Sequence, residues 1–375
     1  MKLRPVVVCL LLVVLLFDAA RVEGRGTPSV KAKESSKNQQ WTSMFVFDDD
    51  FADNGNLPKL PGGEPQSDLS RQWSYPYGSY INSRGSAAAV PTGRFSNYRI
   101  QSDFIARILG LNAAPPAYMR TLDQSVDPTG MTFASGGAGV FQKKVPTLAA
   151  QVKSFTRLIN SGIISKDQLR HSVALVAISG NDYMSGADVK NSFLSSFDDI
   201  DTYIGNVTAE IVKNVVQLQK LGVKKVLVNN MHPIGCTPMR TSTNNYTTCD
   251  LLANYAASVH NKNLKQLMGK KNNANNAYML DLYTAFTDII NHAPGEGSDQ
   301  SNKFNNNLAP CCEGFYDTGF CGQQDDTGEP LYELCENPDQ LFYWDEVHPT
   351  HAGWKAVMKA LEQPLKEFLD RAYVP

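Results

Sequence analysis

The stretch FVFDDDFADNGN, Phe45 to Asn56, sets three consecutive carboxylates, Asp48, Asp49 and Asp50, at the end of an apolar run, with Asp53 three positions on. Far along the chain, YWDEVHPTHAGW places Asp345 three residues before His348. An aspartate and a histidine so spaced in one loop are the residue types of an orienting carboxylate and a general base. The carboxylate holds the imidazole in one tautomer and steadies the charge it takes up. Two further polar segments, FASGGAG (Phe133 to Gly139) and SGNDY (Ser179 to Tyr183), also follow short apolar runs.

Those apolar runs are what must position the polar ends. Ser43 to Phe47, Met131 to Ala134, Val173 to Ser179, Lys225 to Asn229 and Tyr278 to Leu282 have strand length and are ended by Gly, Asn or Asp. Between them lie segments of helical period. Leu148, Val152, Phe155, Leu158 and Ile159 share one face of Thr147 to Ser161, as do Ile204, Val207, Ile211, Val215 and Leu218 in Ile204 to Leu221. Alternation of this kind predicts one α/β domain, a parallel sheet of about five strands with helices on both faces, and a site at the carboxyl ends of the strands. Leu57 to Thr92 and the Cys-rich Asn302 to Asn337 interrupt the rhythm and are expected to be surface insertions beside that site.

A formal net charge of -2 gives no basic field for nucleic acid, so that partner class is set aside. At the N-terminus, Lys2 and Arg4 precede the apolar run Val6 to Phe17 and the small residues Ala19, Ala20 and Gly24. This layout predicts a signal peptide over 1–24, too short to span a membrane comfortably, followed by a loose polar leader over 25–40 and a single domain over 41–372. The expected product is secreted, extracellular (cell wall or apoplast in a plant), monomeric and without an integral membrane segment. Six cysteines remain after cleavage, Cys236, Cys249, Cys311, Cys312, Cys321 and Cys335, and an even number in an exported chain predicts disulfides. Zinc is disfavoured because adjacent Cys311 and Cys312 lack the gap of paired thiolate ligands. Of the 15 pairings that six cysteines allow, proximity favours only Cys236 with Cys249 as a first choice. Asn206-Val-Thr and Asn245-Tyr-Thr are acceptor sequons for N-glycosylation.

In order along the chain, FDDDFADNGN, TGRFSN, FASGGAG, SGNDY, PIGCTP and WDEVHPT resemble the blocks of the plant-type GDSL lipases and esterases of the SGNH hydrolase superfamily. The resemblance spans nearly the whole mature chain. It implies a three-layer, flavodoxin-like fold, carboxylic-ester chemistry without a cofactor or metal, and a lipid, acylated polysaccharide or small-molecule ester as ligand. It implies His348 as base, Asp345 as its orienter, and Asn181 with the backbone N–H of Gly136 as oxyanion donors. The nucleophile does not carry over. The family block reads roughly F-G-D-S-L, whereas this chain has Asp48 for the glycine, Asp50 for the serine and Phe51 for the leucine.

A carboxylate attacking an acyl carbon must form a mixed anhydride and has no proton to hand on, so ordinary acyl transfer is expected to suffer. Three alternatives stay open. Asp50 could attack an sp3 carbon, or the chain could be a catalytically silent protein that uses the cleft to bind a ligand. Asp48-x-Asp50 could also be the magnesium motif of a haloacid-dehalogenase-like phosphatase, although no acidic pair stands at the later strand exits. The blander readings are an ordinary loop ion pair for Asp345 and His348, a turn cap for Asn181, and a backbone bend at Gly136. Trp73, Tyr75 and Tyr77 could line a cleft or simply pack under a loop.

Overall fold

A strand covered on both faces must be apolar at successive positions, and SMFVFD, Ser43–Asp48, is buried at every one. The structure is a computed structural model of the chain. It describes residues 41–57, 68–79, 90–121, 126–141, 145–184, 197–270, 276–292, 299, 301, 303–316 and 319–372, all within one unit, Asn38–Pro375. The readings for 1–24 and 25–40 lie outside the described residues.

Five parallel strands form the main sheet: β1 (Ser43–Asp48), β2 (Gly130–Thr132), β3 (Ser172–Ala177), β4 (Lys225–Asn229) and β5 (Ala277–Leu280). Their order is β2-β1-β3-β4-β5, with Phe45 beside Met131 on one side and Ala174 on the other. This is the flavodoxin-like arrangement that the sequence led us to expect, and its switch point lies between β1 and β3. Strand β2 ends sooner than its apolar run because Phe133 and Ala134 both donate to Val46 O, which breaks the ladder after Thr132.

Side chains alternate across the sheet and feed two cores. Met44, Val46, Val173 and Leu175 meet α1 (Gln101–Ile108), α5 (Leu282–Ile290) and α6 (His351–Asp370). Phe45, Phe47, Ala174 and Val176 meet α2 (Leu148–Asn160), α3 (Phe197–Lys220) and α4 (Leu251–Lys270). The predicted stripes on α2 and α3 belong to the second core, with Ile159 at its half-buried margin.

The cysteine-rich segment builds two small sheets. Strand β6 (Asn306–Pro310) pairs with β9 (Leu341–Tyr343), and β7 (Cys312–Gly314) with β8 (Tyr332–Leu334). The six cysteines among the described residues are all in disulfides: Cys236–Cys249, as proximity suggested, Cys311–Cys335 and Cys312–Cys321. The first insertion departs from expectation. It is not only surface, because its 3-10 turn Asp68–Trp73 and the residues after it bury Arg71, Gln72 and Tyr77.

Candidate active site

The chain leaves β1 through Asp48, whose φ of 95° is a conformation favoured by glycine and strained for any residue with a Cβ. A tight turn follows, in which Ala52 and Asp53 both donate to Asp49 O. Two carboxylates hold this turn in place. Asp49 accepts from Ser179 N at 2.6 Å, which ties it to the exit of β3. Asp53 accepts four backbone N–H groups, from Gly55, Asn56, Leu57 and Gly136.

Asp50 stands between these anchors, and both of its oxygens are engaged. Oδ2 accepts from His348 Nε2 at 2.9 Å and from Ser179 Oγ at 3.2 Å. Oδ1 accepts from Asn181 Nδ2 at 2.7 Å and from Gly137 N at 2.9 Å. On its other edge, His348 Nδ1 lies 2.8 Å from each oxygen of Asp345. Asp345 is held in turn by the backbone N–H groups of Val347 and His348, by Tyr77 Oη at 2.7 Å, and by the Arg71 guanidinium at 3.6 Å. Arg71 also pairs with Glu346 at 2.5 Å. Asp50, His348 and Asp345 are all buried.

Asp50, Asn181, His348 and Asp345 are thus brought together from three distant parts of the sequence, at the carboxyl edge of the sheet beside the β1/β3 switch point. Gly136 requires a correction. Its N–H is spent on Asp53 Oδ2, and it is Gly137, at φ 72°, whose N–H reaches Asp50. Reading the sequence alone also missed Ser179, Tyr77 and Arg71. Tyr77 and Arg71 sit in or beside an aromatic run, and no local pattern links either to a loop almost three hundred residues away.

The electrostatics follow from these contacts. Burial alone would lower the His348 pKa, but the charge and hydrogen bond of Asp345, joined by those of Asp50, push it up to about 10. Burial alone would raise Asp50, but the hydrogen bond and charge of His348, with Asn181 and Gly137, bring it down to about 2. Asp345 lies well below the carboxylate range, because His348 and Arg71 outweigh its burial. At neutral pH, therefore, an imidazolium is clamped between two carboxylates. Asp48 and Asp49 go the other way. Burial raises both; the charges of Asp182 and Asp50 raise Asp48 further, and those of Asp50 and Asp48 raise Asp49. Oδ1 of Asp48 has no hydrogen-bond partner among the described residues.

Among the described residues, no group of three or more His, Cys, Asp and Glu is placed to hold a metal ion, and no helix is long and apolar enough to cross a membrane. Asn206, on α3, and Asn245, in the loop before α4, are both exposed. A cleft of about 760 Å³ lies behind the Asp345 loop, with Arg71, Glu346, Met239 and Phe315 in its walls, but neither Asp50 nor His348 lines it.

A family model described as GDSL-like Lipase/Acylhydrolase matches residues 52–361, opening just after Asp50. An Arabidopsis thaliana GDSL esterase/lipase is 34% identical over 339 residues, covering 88% of this chain and 89% of its own. A second GDSL esterase/lipase of the same plant is 33% identical over 332 residues, covering 86% and 88%. Among solved structures, a catalytic mutant of an acetylxylan esterase from Geobacillus stearothermophilus covers 89% of this chain and 96% of its own. Its identity is 12% and its TM-score 0.37, a likeness too weak to bear on chemistry.

Proposed function

The chain belongs to the GDSL-like lipase/acylhydrolase family, and on that premise we propose that it is a secreted protein whose ester-hydrolase frame is held in a weakened, self-occupied state by Asp50. The observation that carries this reading is the double engagement of one carboxylate. Asp50 takes the histidine that a serine would use, and its other oxygen takes the amide and backbone donors suited to an oxyanion.

Each half of that engagement opposes acyl transfer. A histidine that keeps its proton to about pH 10 is a poor base at neutral pH. A fixed negative charge beside Asn181 and Gly137 repels the negative charge that a tetrahedral intermediate develops there. Loss of the serine from a catalytic triad costs on the order of a million-fold in kcat, and the remaining frame retains roughly a thousand-fold over water. The same imidazolium argues against Asp50 as a nucleophile toward sp3 carbon, since clearing that ester would need His348 to activate water. Secretion is supported by the N-terminal pattern and by the full pairing of the cysteines, which suits an oxidising compartment.

A second reading is favoured by the same closed ion pair. The protein then uses the cleft to bind a lipid, acylated polysaccharide or small-molecule ester without turning it over. Short-chain nitrophenyl esters separate the readings when wild type, Asp50→Ser and Asp50→Ser with His348→Ala are assayed together. On the proposed reading, wild type is nearly inert, Asp50→Ser gains activity, and the second substitution removes the gain. Brisk wild-type hydrolysis that survives Asp50→Ala overturns it. A folded Asp50→Ser variant that stays inert while ester ligands still bind favours the silent binder.

A further inference from the structure

The charge of the chain is small, but it is not evenly spread. Between α1 and α6 runs a groove of about 440 Å³ whose apolar lining is Phe104, Ile108 and Met358. Five cations edge it against one carboxylate, a net charge of +4 on a protein whose total is -2. The carboxylate, Glu362, is taken by Lys359 at 3.3 Å and Lys366 at 2.6 Å. The other three cations, Arg107, Lys303 and Lys355, are exposed and have no ion-pair partner among the described residues.

Three like charges without an ion-pair partner among the described residues surround an apolar hollow and repel one another, a repulsion that an anion between them relieves. A ligand that answers both features carries a hydrocarbon chain and one anionic end. The groove lies within the usual size range for small-ligand sites, roughly 300–1,000 Å³. Its concavity also favours a single molecule over a membrane, since a bilayer presents a broad front of headgroups that meets projecting side chains rather than the bottom of a hollow. None of the residues around Asp50 and His348 lines it.

We propose that this groove binds a medium- or long-chain carboxylate. The acyl chain lies on Phe104, Ile108 and Met358, and the carboxylate sits among Arg107, Lys303 and Lys355. The site is independent of whether Asp50 supports catalysis. If the protein does cleave fatty esters, the anion bound here is the acid that such cleavage releases.

The test is calorimetric titration of the mature chain with laurate below its micelle concentration, with dodecanol as the neutral chain of equal length. Laurate is expected to bind saturably and severalfold more weakly when salt rises from about 25 mM to about 300 mM, because the contacts are exposed charges. Dodecanol should bind at least tenfold more weakly. The double variant Arg107→Glu with Lys355→Glu should lose at least tenfold in laurate affinity at an unchanged melting temperature, since both side chains are exposed. Absent laurate binding, or equal binding of dodecanol, overturns the proposal. So does laurate affinity indifferent to the charge reversal, which places the ligand in another cleft. Binding to phosphatidylserine vesicles without binding to monomeric laurate overturns it as well and makes the patch a membrane-facing surface.

Discussion

Asp49 and Asp50 are neighbours in the chain, both are buried, and their carboxyl groups shift in opposite directions. Burial is the largest influence on each and raises both. Asp49 then meets neutral donors, the backbone and side chain of Ser179 and Phe51 N, and two further carboxylates. Asp50 meets the imidazolium of His348, and that cation reverses the sign. Hydrogen bonds from amides satisfy a buried carboxylate, but a charged partner is what keeps it ionised. The run of three aspartates therefore divides into one member whose charged form is favoured by His348 and two whose carboxyls are pushed up by burial and neighbouring charge.

The largest effect that would sharpen this contrast is catalytic. With Asp50→Ser, one negative charge leaves His348, Asn181 and the Gly137 N–H are freed, and a hydroxyl stands where the carboxylate was. Ester hydrolysis should rise by more than about a hundred-fold, or about 2.7 kcal/mol of barrier. The gain is kept modest because Asp48 and Phe51 also depart from the family pattern and can misplace the hydroxyl. A gain below tenfold in a well-folded variant breaks the proposed link between Asp50 and weakened activity.

Stability should respond next. Asp50→Asn keeps the shape but removes the charge, and it should cost about 2 kcal/mol in chemical denaturation. That is less than the roughly 3–5 kcal/mol for orphaning a buried charge, because Asp345 still partners His348. In the same variant, the His348 pKa measured by NMR should fall from near 10 by at least about one unit. An unchanged His348 titration shows that Asp345 alone sets it.

Asp48→Gly tests the opposite arm. It removes a strained positive φ and a buried carboxyl oxygen without a hydrogen-bond partner, so it should stabilise the fold by about 1 kcal/mol. A loss of stability there means that Asp48 has a compensating contact.

The pH dependence has two arms that check the same assignment. His348 is raised, so its stabilisation is full below its ordinary value of about 6.5 and is lost as pH rises through about 10. Asp50 is lowered, so its contribution is present above about 4 and is lost as pH falls through about 2. Asp48 and Asp49 are raised, and what they contribute is present below about 4 and fades as pH rises. Asp50→Asn should therefore flatten the stability profile at both ends, while Asp48→Gly should lift it at pH above about 4.

Tyr77→Phe should have the smallest effect, about 0.5–1 kcal/mol, the net worth of one hydrogen bond to Asp345. In an active Asp50→Ser background it should also shift the pH profile of kcat/KM. A change in stability without that shift limits Tyr77 to packing.

Much of this was legible in order along the chain. Val173 to Ala177 and Lys225 to Asn229 announce buried parallel strands because every position is apolar or pairs in the ladder. Asp345 and His348 announce each other because three residues in one loop suffice to bring Nδ1 to the carboxylate. The Gly136 expectation failed within a single residue. Adjacent N–H groups in a turn point different ways, and only the positions of Asp53 and Asp50 decide which donor goes where. Arg71 and Tyr77 were out of reach for another reason, since their partner enters the chain 268 residues after Tyr77.

The layered α/β fold and the pairing of Asp345 with His348 could be read from the chain alone, because local spacing and hydrophobic period survive in a linear string. The expectation of a hydroxyl at position 50 comes instead from the resemblance of FDDDFADNGN to the family block. Tertiary structure alone sets that Asp50 grips His348 with one oxygen and Asn181 and Gly137 N with the other, that Arg71 and Tyr77 brace Asp345 from behind, and that the carboxyls of Asp48 and Asp49 shift up while that of Asp50 shifts down. Those outcomes depend on which charges meet in a buried space, and that is set by the closing of the sheet and its insertions around one point rather than by neighbours in sequence.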